Sequence, residues 1–276
     1  MSDSERRIDW ESARKFLRTE RLGYTIRSAP QMPSTQGLAK EAARGGARGG
    51  TVFVTDYQSD GRGRRDRSWR SAPRVDLTFS AIFRLDVETR HAHTLNFAAA
   101  LAVAAALEKN FPGSGGRVSI KWPNDVLADA RKICGIICES SGTREKLDYA
   151  VLGIGINVNR REDELPCPDS SGRPRATSVL AAFGEKMDLP RLLADVLNEL
   201  EPRSSMASDD GGRKRLMAEY RAKCSTIGRE VRIISDDGEN FGVAADITDG
   251  GELVLTTGGE FTLFNSADVV HARVHC

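Results

Sequence analysis

Between Gly61 and Arg70 the chain carries five arginines, Arg62, Arg64, Arg65, Arg67 and Arg70, against one acid, Asp66, with Trp69 near the far end. Guanidinium groups stay charged at any working pH and can fork two hydrogen bonds onto a phosphate or a carboxylate. Such a segment repels itself and has little apolar surface to offset the entropy of ordering, so it is expected to stay loose until an anion draws the arginines inward. The plainer reading of a basic run is a solvated face or a patch that touches nucleic-acid backbone. Position favours a lid, because the run follows residues 51–55, a β-branched and aromatic stretch that reads as a buried strand.

Further polar clusters stand at other strand ends. In Lys121-Trp122-Pro123-Asn124-Asp125 the proline sets Trp122 in an extended conformation and presents a carboxamide and a carboxylate beyond it. Asn124 could meet a phosphate or a metal-bound water, and Asp125 could accept a proton or orient an amine; an ordinary turn also accounts for the pair. Lys132 opens an otherwise apolar strand, where its ammonium must reach solvent or meet an anion. It could neutralise charge that grows in a transition state, or pair with Asp125 or Asp129. Asn157 ends a strand whose alternating glycines allow close approach of a ligand. Ser34 and Thr35 precede a run of helix formers, so they read as an N-cap, with exposed amides for a small ligand as the second use. No serine–histidine pair or activated cysteine pattern accompanies these groups, and covalent catalysis is not expected.

The elements that must hold these groups are strands over 77–83, 118–122, 126–127, 132–139 and 148–157, with helices over 36–44 and 94–109. The second helix is apolar nearly all round and should lie beneath the sheet. Residues 160–177 read as a long loop, 189–200 and 213–222 as helices separated by a flexible 204–212, and 10–17 as a helical pattern. From about residue 224 short strands recur, at 231–234, 242–246, 252–256 and 260–265, and predict a small β-barrel.

The net charge of +1 over 276 residues argues against a general nucleic-acid binder, which usually carries a clear basic excess. The longest apolar run, Leu95 to Leu107, is shorter than the roughly 20 residues that a membrane helix needs. The opening residues lack the apolar core of a signal peptide, so a cytoplasmic protein with no membrane partner is expected. Five cysteines without zinc spacing suggest reduced thiols, with no protein-held metal; any magnesium would arrive with a nucleotide.

Taken in order, Gly61-Arg-Gly-Arg-Arg-Asp-Arg-Ser-Trp69, Lys121-Trp-Pro-Asn-Asp125, Lys132-Ile-Cys-Gly135 and Gly153-Ile-Gly-Ile-Asn157 resemble the biotin protein ligase family, over about residues 30–276. The resemblance implies an α+β fold: a mixed central sheet with packed helices, of the class II synthetase-like biotin/lipoate ligase type, plus a small SH3-like C-terminal β-barrel. It divides the chain into a polar N-terminal extension (1–22), a catalytic domain (23–223) and the small barrel (224–276). It implies that biotin and MgATP give biotinyl-5′-AMP and pyrophosphate, and that a lysine of a biotin carboxyl carrier protein then takes the biotinyl group.

By resemblance, Ser34, Thr35 and Gln58 correspond to polar contacts to the biotin ureido ring, and Gly135 to a backbone contact. Gly61, Arg62 and Arg64 correspond to the loop that closes over biotin and its adenylate, with Arg65 and Arg67 on the nucleotide side. Lys132 corresponds to the lysine at the carboxylate and α-phosphate, Asn124 and Asn157 to nucleotide contacts, and Asp125 to an aspartate that orients the acceptor lysine. Trp69 and Trp122 offer planes against biotin or adenine. Asp66 and Cys134 stand where the family usually has smaller residues, Cys134 beside the expected biotin pocket, and Gln36 where asparagine is common. The first 22 residues are too few for a winged-helix DNA reader, so no DNA partner is expected; a homodimer is compatible with the reading. A lipoate or octanoate ligase or transferase of related fold is the alternative. A nucleic-acid-binding module and a ligand-binding protein with a decayed site are the readings from other classes.

Overall fold

A computed structural model describes residues 7–65, 67–166, 174–235, 238–265 and 267–271. Asp66, singled out in the sequence, and two of the five cysteines, Cys167 and Cys276, lie outside the described residues. In chain order the first elements are β1 (Thr25–Ala29), α1 (Thr35–Arg44), β2 (Thr51–Thr55), β3 (Asp76–Phe83) and α2 (Thr94–Asn110). There follow β4 (Val118–Lys121), β5 (Asp125–Ala128), β6 (Arg131–Gly142) and β7 (Leu147–Asn157), then the helices α3 (Val179–Phe183), α4 (Leu189–Ser205) and α5 (Asp210–Lys223).

The first seven strands form one mixed sheet in the order β1-β2-β3-β7-β6-β5-β4, in which only β1 and β2 run parallel. The β1–α1–β2 crossover sets that pair, and hairpins or antiparallel ladders set the rest. Every residue of β3 is buried, because α1 covers one face of the sheet while α2 and α4 cover the other. The alanine-rich α2 has no polar face to turn outward, and twelve of its side chains are buried. Ser34 caps α1 by accepting from the amide of Gly37 at 3.3 Å. The β5–β6 turn is Asp129-Ala130, both at positive φ (50° and 59°), the conformation that a two-residue hairpin needs.

Several elements differ from the sequence reading. β1 sits at the sheet edge with only Ile26 buried, so it carries little of the apolar alternation that marks a strand. The stretch 204–212 is not a flexible spacer: α4 runs on to Ser205, a 3-10 turn spans Met206–Ser208, and Asp209 caps α5 by accepting from Gly212 N at 2.7 Å. The 10–17 pattern folds as a 3-10 helix, Trp10–Lys15, whose Trp10 indole donates to Asp56 Oδ1 at 2.7 Å.

The expected barrel is also corrected. β8 (Glu230–Ser235), β9 (Gly238–Ile247), β10 (Leu253–Thr257), β11 (Glu260–Phe264) and β12 (Asp268–His271) build an open antiparallel sheet in the order β11-β10-β9-β8-β12. No ladder joins β11 to β12 among the described residues, so the sheet does not close. Turn rhythm specifies hairpins between successive strands, whereas closure needs a pairing between the outermost ones, which spacing does not encode. The sheet is fastened to the larger one instead: Lys121 Nζ donates to Val269 O, and Trp122 Nε1 to Gly251 O at 3.0 Å. No helix among the described residues is long and apolar enough to cross a membrane.

Candidate active site

A cavity of about 490 Å³ opens between the arginine segment, the β4–β5 turn, the facing parts of β6 and β7, and the start of β12. Larger hollows of about 710 Å³ on the C-terminal sheet and about 640 Å³ beside the β6–β7 hairpin hold none of the residues singled out above.

The arginine segment is a folded hairpin, not a loose loop. Trp69 N donates to Gly61 O at 2.8 Å and Gly63 N to Arg67 O at 2.7 Å, with an antiparallel bridge between Arg62 and Ser68. Self-repulsion fails to unfold it because the charges find separate partners. Arg64 Nη1 donates to Asn124 Oδ1 at 2.9 Å, Arg65 Nη1 to Ile234 O at 3.0 Å, and Arg67 pairs with Asp268. Arg62 remains largely exposed, 3.8 Å from Asp60. The hairpin also buries a ring. A Cβ on Gly155 would lie 2.4 Å from Trp69 Cε2, and one on Gly135 would lie 3.0 Å from Trp69 Cζ3, so the indole rests on strands kept bare for it. Trp69 Nε1 is buried without a hydrogen-bond partner.

Beneath that ring lie the reactive groups. Lys132 Nζ is 2.6 Å from Asp125 Oδ1. A β-bulge sets the lysine there: Leu127 pairs with Lys132 but Val126 with Cys134, so Ile133 is the extra residue. The backbone of Lys132 is held on its other side, its amide donating to Arg175 O (2.7 Å) and its carbonyl accepting from Thr177 N (2.8 Å). Asn124 Nδ2 donates to Ile136 O at 2.5 Å, which fixes its oxygen toward Arg64. Asn157 Nδ2 donates to Thr177 O at 2.9 Å. Burial lowers the Arg64 guanidinium pKa, and the nearby Asp125 carboxylate offsets part of that effect. Among the described residues no group of three or more His, Cys, Asp or Glu side chains is placed to hold a metal.

The structure thus brings Arg62, Arg64, Arg67, Trp69, Asn124, Asp125, Lys132, Gly135 and Asn157 to one cavity. Ser34, Thr35, Gln58, Gly61 and Arg65 do not line it. Thr35 N and Oγ1 donate to Gln58 Oε1 at 2.7 and 3.0 Å, forming a separate polar cradle at the start of α1. Gly61 joins the two regions, since a Cβ there would come 3.0 Å from Gln58 Nε2. Trp122 borders the cavity, but its ring is 1% exposed and its indole N–H is taken by Gly251, so it offers no free plane for stacking. Cys134 turns into the helical core and does not line the cavity, and burial pushes its thiol pKa up.

Sequence reasoning missed Ser80, Asp76 and Arg160, and marked Gln36 only as a departure from the family pattern. Ser80 Oγ lies 2.9 Å from Thr35 Oγ1, yet in a wholly buried strand nothing marks that serine out. Gln36 donates to Glu139 Oε2 and Val151 O at 2.9 and 3.1 Å, leaving its Oε1 buried and unpartnered near Gly153. Asp76 and Arg160 form a buried ion pair at the exit of the arginine hairpin.

Comparison with known proteins bears on this arrangement. A model described as the biotin/lipoate A/B protein ligase family matches residues 28–157, and one for the biotin protein ligase C terminal domain matches residues 226–272. The chain is 34% identical over 238 residues to the biotin--[acetyl-CoA-carboxylase] ligase of Mycobacterium tuberculosis, covering 86% of this chain and 84% of that one. It is 33% identical over 262 residues to the bifunctional ligase/repressor BirA of Bacillus subtilis, covering 94% and 78% respectively. The solved biotin protein ligase from Aquifex aeolicus in complex with biotin and ATP superposes with a TM-score of 0.73 at 26% identity, over 91% of this chain and 99% of that one. With the likeness running through both sheets and the cavity between them, the chain belongs to the biotin protein ligase family.

Proposed function

We propose that this chain joins biotin to a lysine of a biotin carboxyl carrier protein at the expense of ATP, through biotinyl-5′-AMP. The observation that carries the reading is the cavity: a lysine and guanidinium groups converge under a tryptophan seated on bare glycine strands. In the first half-reaction a biotin carboxylate oxygen attacks the α-phosphorus of ATP and pyrophosphate leaves. Lys132 would neutralise the charge that grows on the α-phosphate, and Arg62, Arg64 and Arg67 would hold the phosphates. Arg65 would steer anions from outside, Asn157 would meet the nucleotide through the carboxamide oxygen that its bond to Thr177 does not use, and Asn124, whose oxygen accepts from Arg64, would act through that arginine or through its own second N–H. Ser34, Thr35, Gln58, Gly61 and Gly135 would receive the ureido ring and acyl tail, with Trp69 above them. In the second half-reaction the acceptor amine attacks the acyl carbon and AMP departs, Asp125 orienting that amine. The hairpin and β12 would keep water from the mixed anhydride meanwhile.

Magnesium would come as part of the nucleotide substrate. We read the working protein as a cytoplasmic enzyme with its catalytic domain at 23–223 and a smaller C-terminal domain at 224–276. The decisive experiment is pyrophosphate release with MgATP and, separately, biotin, lipoate and octanoate, with mass spectrometry of the product. Biotinyl-AMP formed with biotin alone is expected; turnover with the fatty acids alone would move the chain to lipoate chemistry.

A further inference from the structure

The outgoing limb of the arginine hairpin, from Arg70 to β3, is held by two side chains that the proposed chemistry does not use. Asp76 opens β3 and Arg160 lies just past the end of β7; their side chains are 1% and 5% exposed. Arg160 Nε lies 3.0 and 2.9 Å from the two Asp76 oxygens, and Nη2 completes the fork. The same pair grips the hairpin backbone. Arg160 Nη2 donates to Arg70 O at 2.6 Å, and Asp76 Oδ2 accepts from Ala72 N at 2.7 Å. Both residues flank the strand end that carries a site amide: Asp76 stands opposite Asn157 in the β3–β7 ladder, and Arg160 follows closely after Asn157, its carbonyl accepting from Ser178 Oγ of the α3 N-cap at 2.6 Å.

A buried ion pair is a weak device for stability alone, because desolvating both charges offsets most of their attraction and an apolar pair of similar size often serves as well. Burial here raises the Asp76 pKa, against the lowering by Arg160. What an apolar pair could not do is bond two points of the hairpin backbone while joining β3 to the end of β7. We infer that Asp76 and Arg160 are positioning residues, which fix the outgoing limb of the hairpin and so hold Trp69 down on Gly155 while an activated acyl group lies in the cavity. The inference rests on the proposed ligase reaction and adds to it two residues that touch no substrate. Retention of the adenylate, more than its formation, then depends on them.

The test uses the full chain in three forms: wild type, Arg160→Lys and the double variant Asp76→Leu/Arg160→Met. Lysine keeps a cation beside Asp76 but lacks the second arm that reaches Arg70 O, and the apolar pair keeps the volume without the bonds. Adenylate formation is followed in a single turnover with MgATP and biotin, and release of preformed adenylate in a chase. Release should quicken on the order of tenfold in both variants, the scale of one lost hydrogen bond to a charged group. Formation should change much less. In the ligand-free protein, amide exchange over residues 69–72 should rise by a similar factor. Unchanged release in both variants would overturn the inference, as would an equal rise in a core variant such as Leu152→Ala matched for lost thermal stability. If wild type forms no adenylate, the ligase reading fails, and amide exchange still decides whether the pair holds the hairpin.

Discussion

Gly155→Ala tests the seating of Trp69 most directly. The added Cβ would stand 2.4, 2.7 and 2.8 Å from Trp69 Cε2, Cζ2 and Nε1. To recover an ordinary carbon contact of about 3.6 Å from 2.4 Å, the ring must retreat by roughly 1.2 Å. Gly155 is fixed in the middle of the sheet between β3 and β6, so the hairpin must yield. Overpacking of this kind costs about 1–3 kcal/mol, which corresponds to a loss of roughly 5- to 150-fold in any equilibrium that needs the ring in place. Because the displaced group belongs to a surface hairpin, most of that cost should fall on ligand capture and little on unfolding. Calorimetric titration with biotin should show the weakened binding, and thermal unfolding should shift by only about 2–4 °C per kcal/mol that does reach the core. Trp69→Phe separates the Trp69 fluorescence change from the signals of the buried Trp10 and Trp122. Wild-type biotin affinity together with an unmoved Trp69 emission would refute the reasoning.

Two further outcomes follow from named contacts. Lys132→Ala removes the cation 2.6 Å from Asp125 and should slow single-turnover adenylate formation on the order of 10²–10³-fold, with biotin affinity falling less than about tenfold; the reverse split, read by calorimetry beside the single turnover, would reassign the lysine to binding. Burial, with Lys121 and Arg229 nearby, pushes the His271 pKa down to about 4 from 6.5, its ring nitrogen lying 3.0 Å from Thr226 Oγ1. Below 6.5 the unfolded chain therefore takes up a proton that the folded one refuses, so this contribution is intact above pH 6.5 and is lost as the pH falls toward 4. After discounting for partial exposure the loss is about 1–2 kcal/mol; urea midpoints at pH 7 and pH 4.5 should drop further for wild type than for His271→Gln, and equal drops would count against it.

What could be read before folding follows the strength of local pattern. The apolar run of α2 and the β-branched, aromatic run of β2 announce themselves through continuous apolar or β-forming residues, and β3 through alternation. The four motifs place the cavity because each ends or interrupts a strand of one sheet. Side-chain direction was less legible. Strict alternation would put Lys132 and Cys134 on one face, and the bulge at Ile133 separates them, sending the thiol into the core. Trp122 looked like a stacking plane because its partner, Gly251, lies 129 residues away. Asp76 and Arg160, 84 residues apart, carry no local mark of their pairing, and neither does the open form of the C-terminal sheet. The arginine run misled in the other direction: counted alone its charge predicts looseness, whereas its partners come from Asn124, Ile234 and Asp268 in three different parts of the chain.

The stretch Lys121–Asp125 faces two ways. Its first two residues bond to the C-terminal sheet through Val269 and Gly251, while Asn124 and Asp125 turn into the cavity. The smaller sheet is therefore no detachable accessory: a truncation near residue 225 would remove the carbonyls to which the buried Lys121 ammonium and Trp122 indole donate, at the root of the turn that presents Asn124 and Asp125. Chimeras that exchange this sheet between relatives must bring the backbone carbonyls of both positions to the same places, and a graft that shifts them would be expected to fail first in chemistry at a turn whose own residues were never altered.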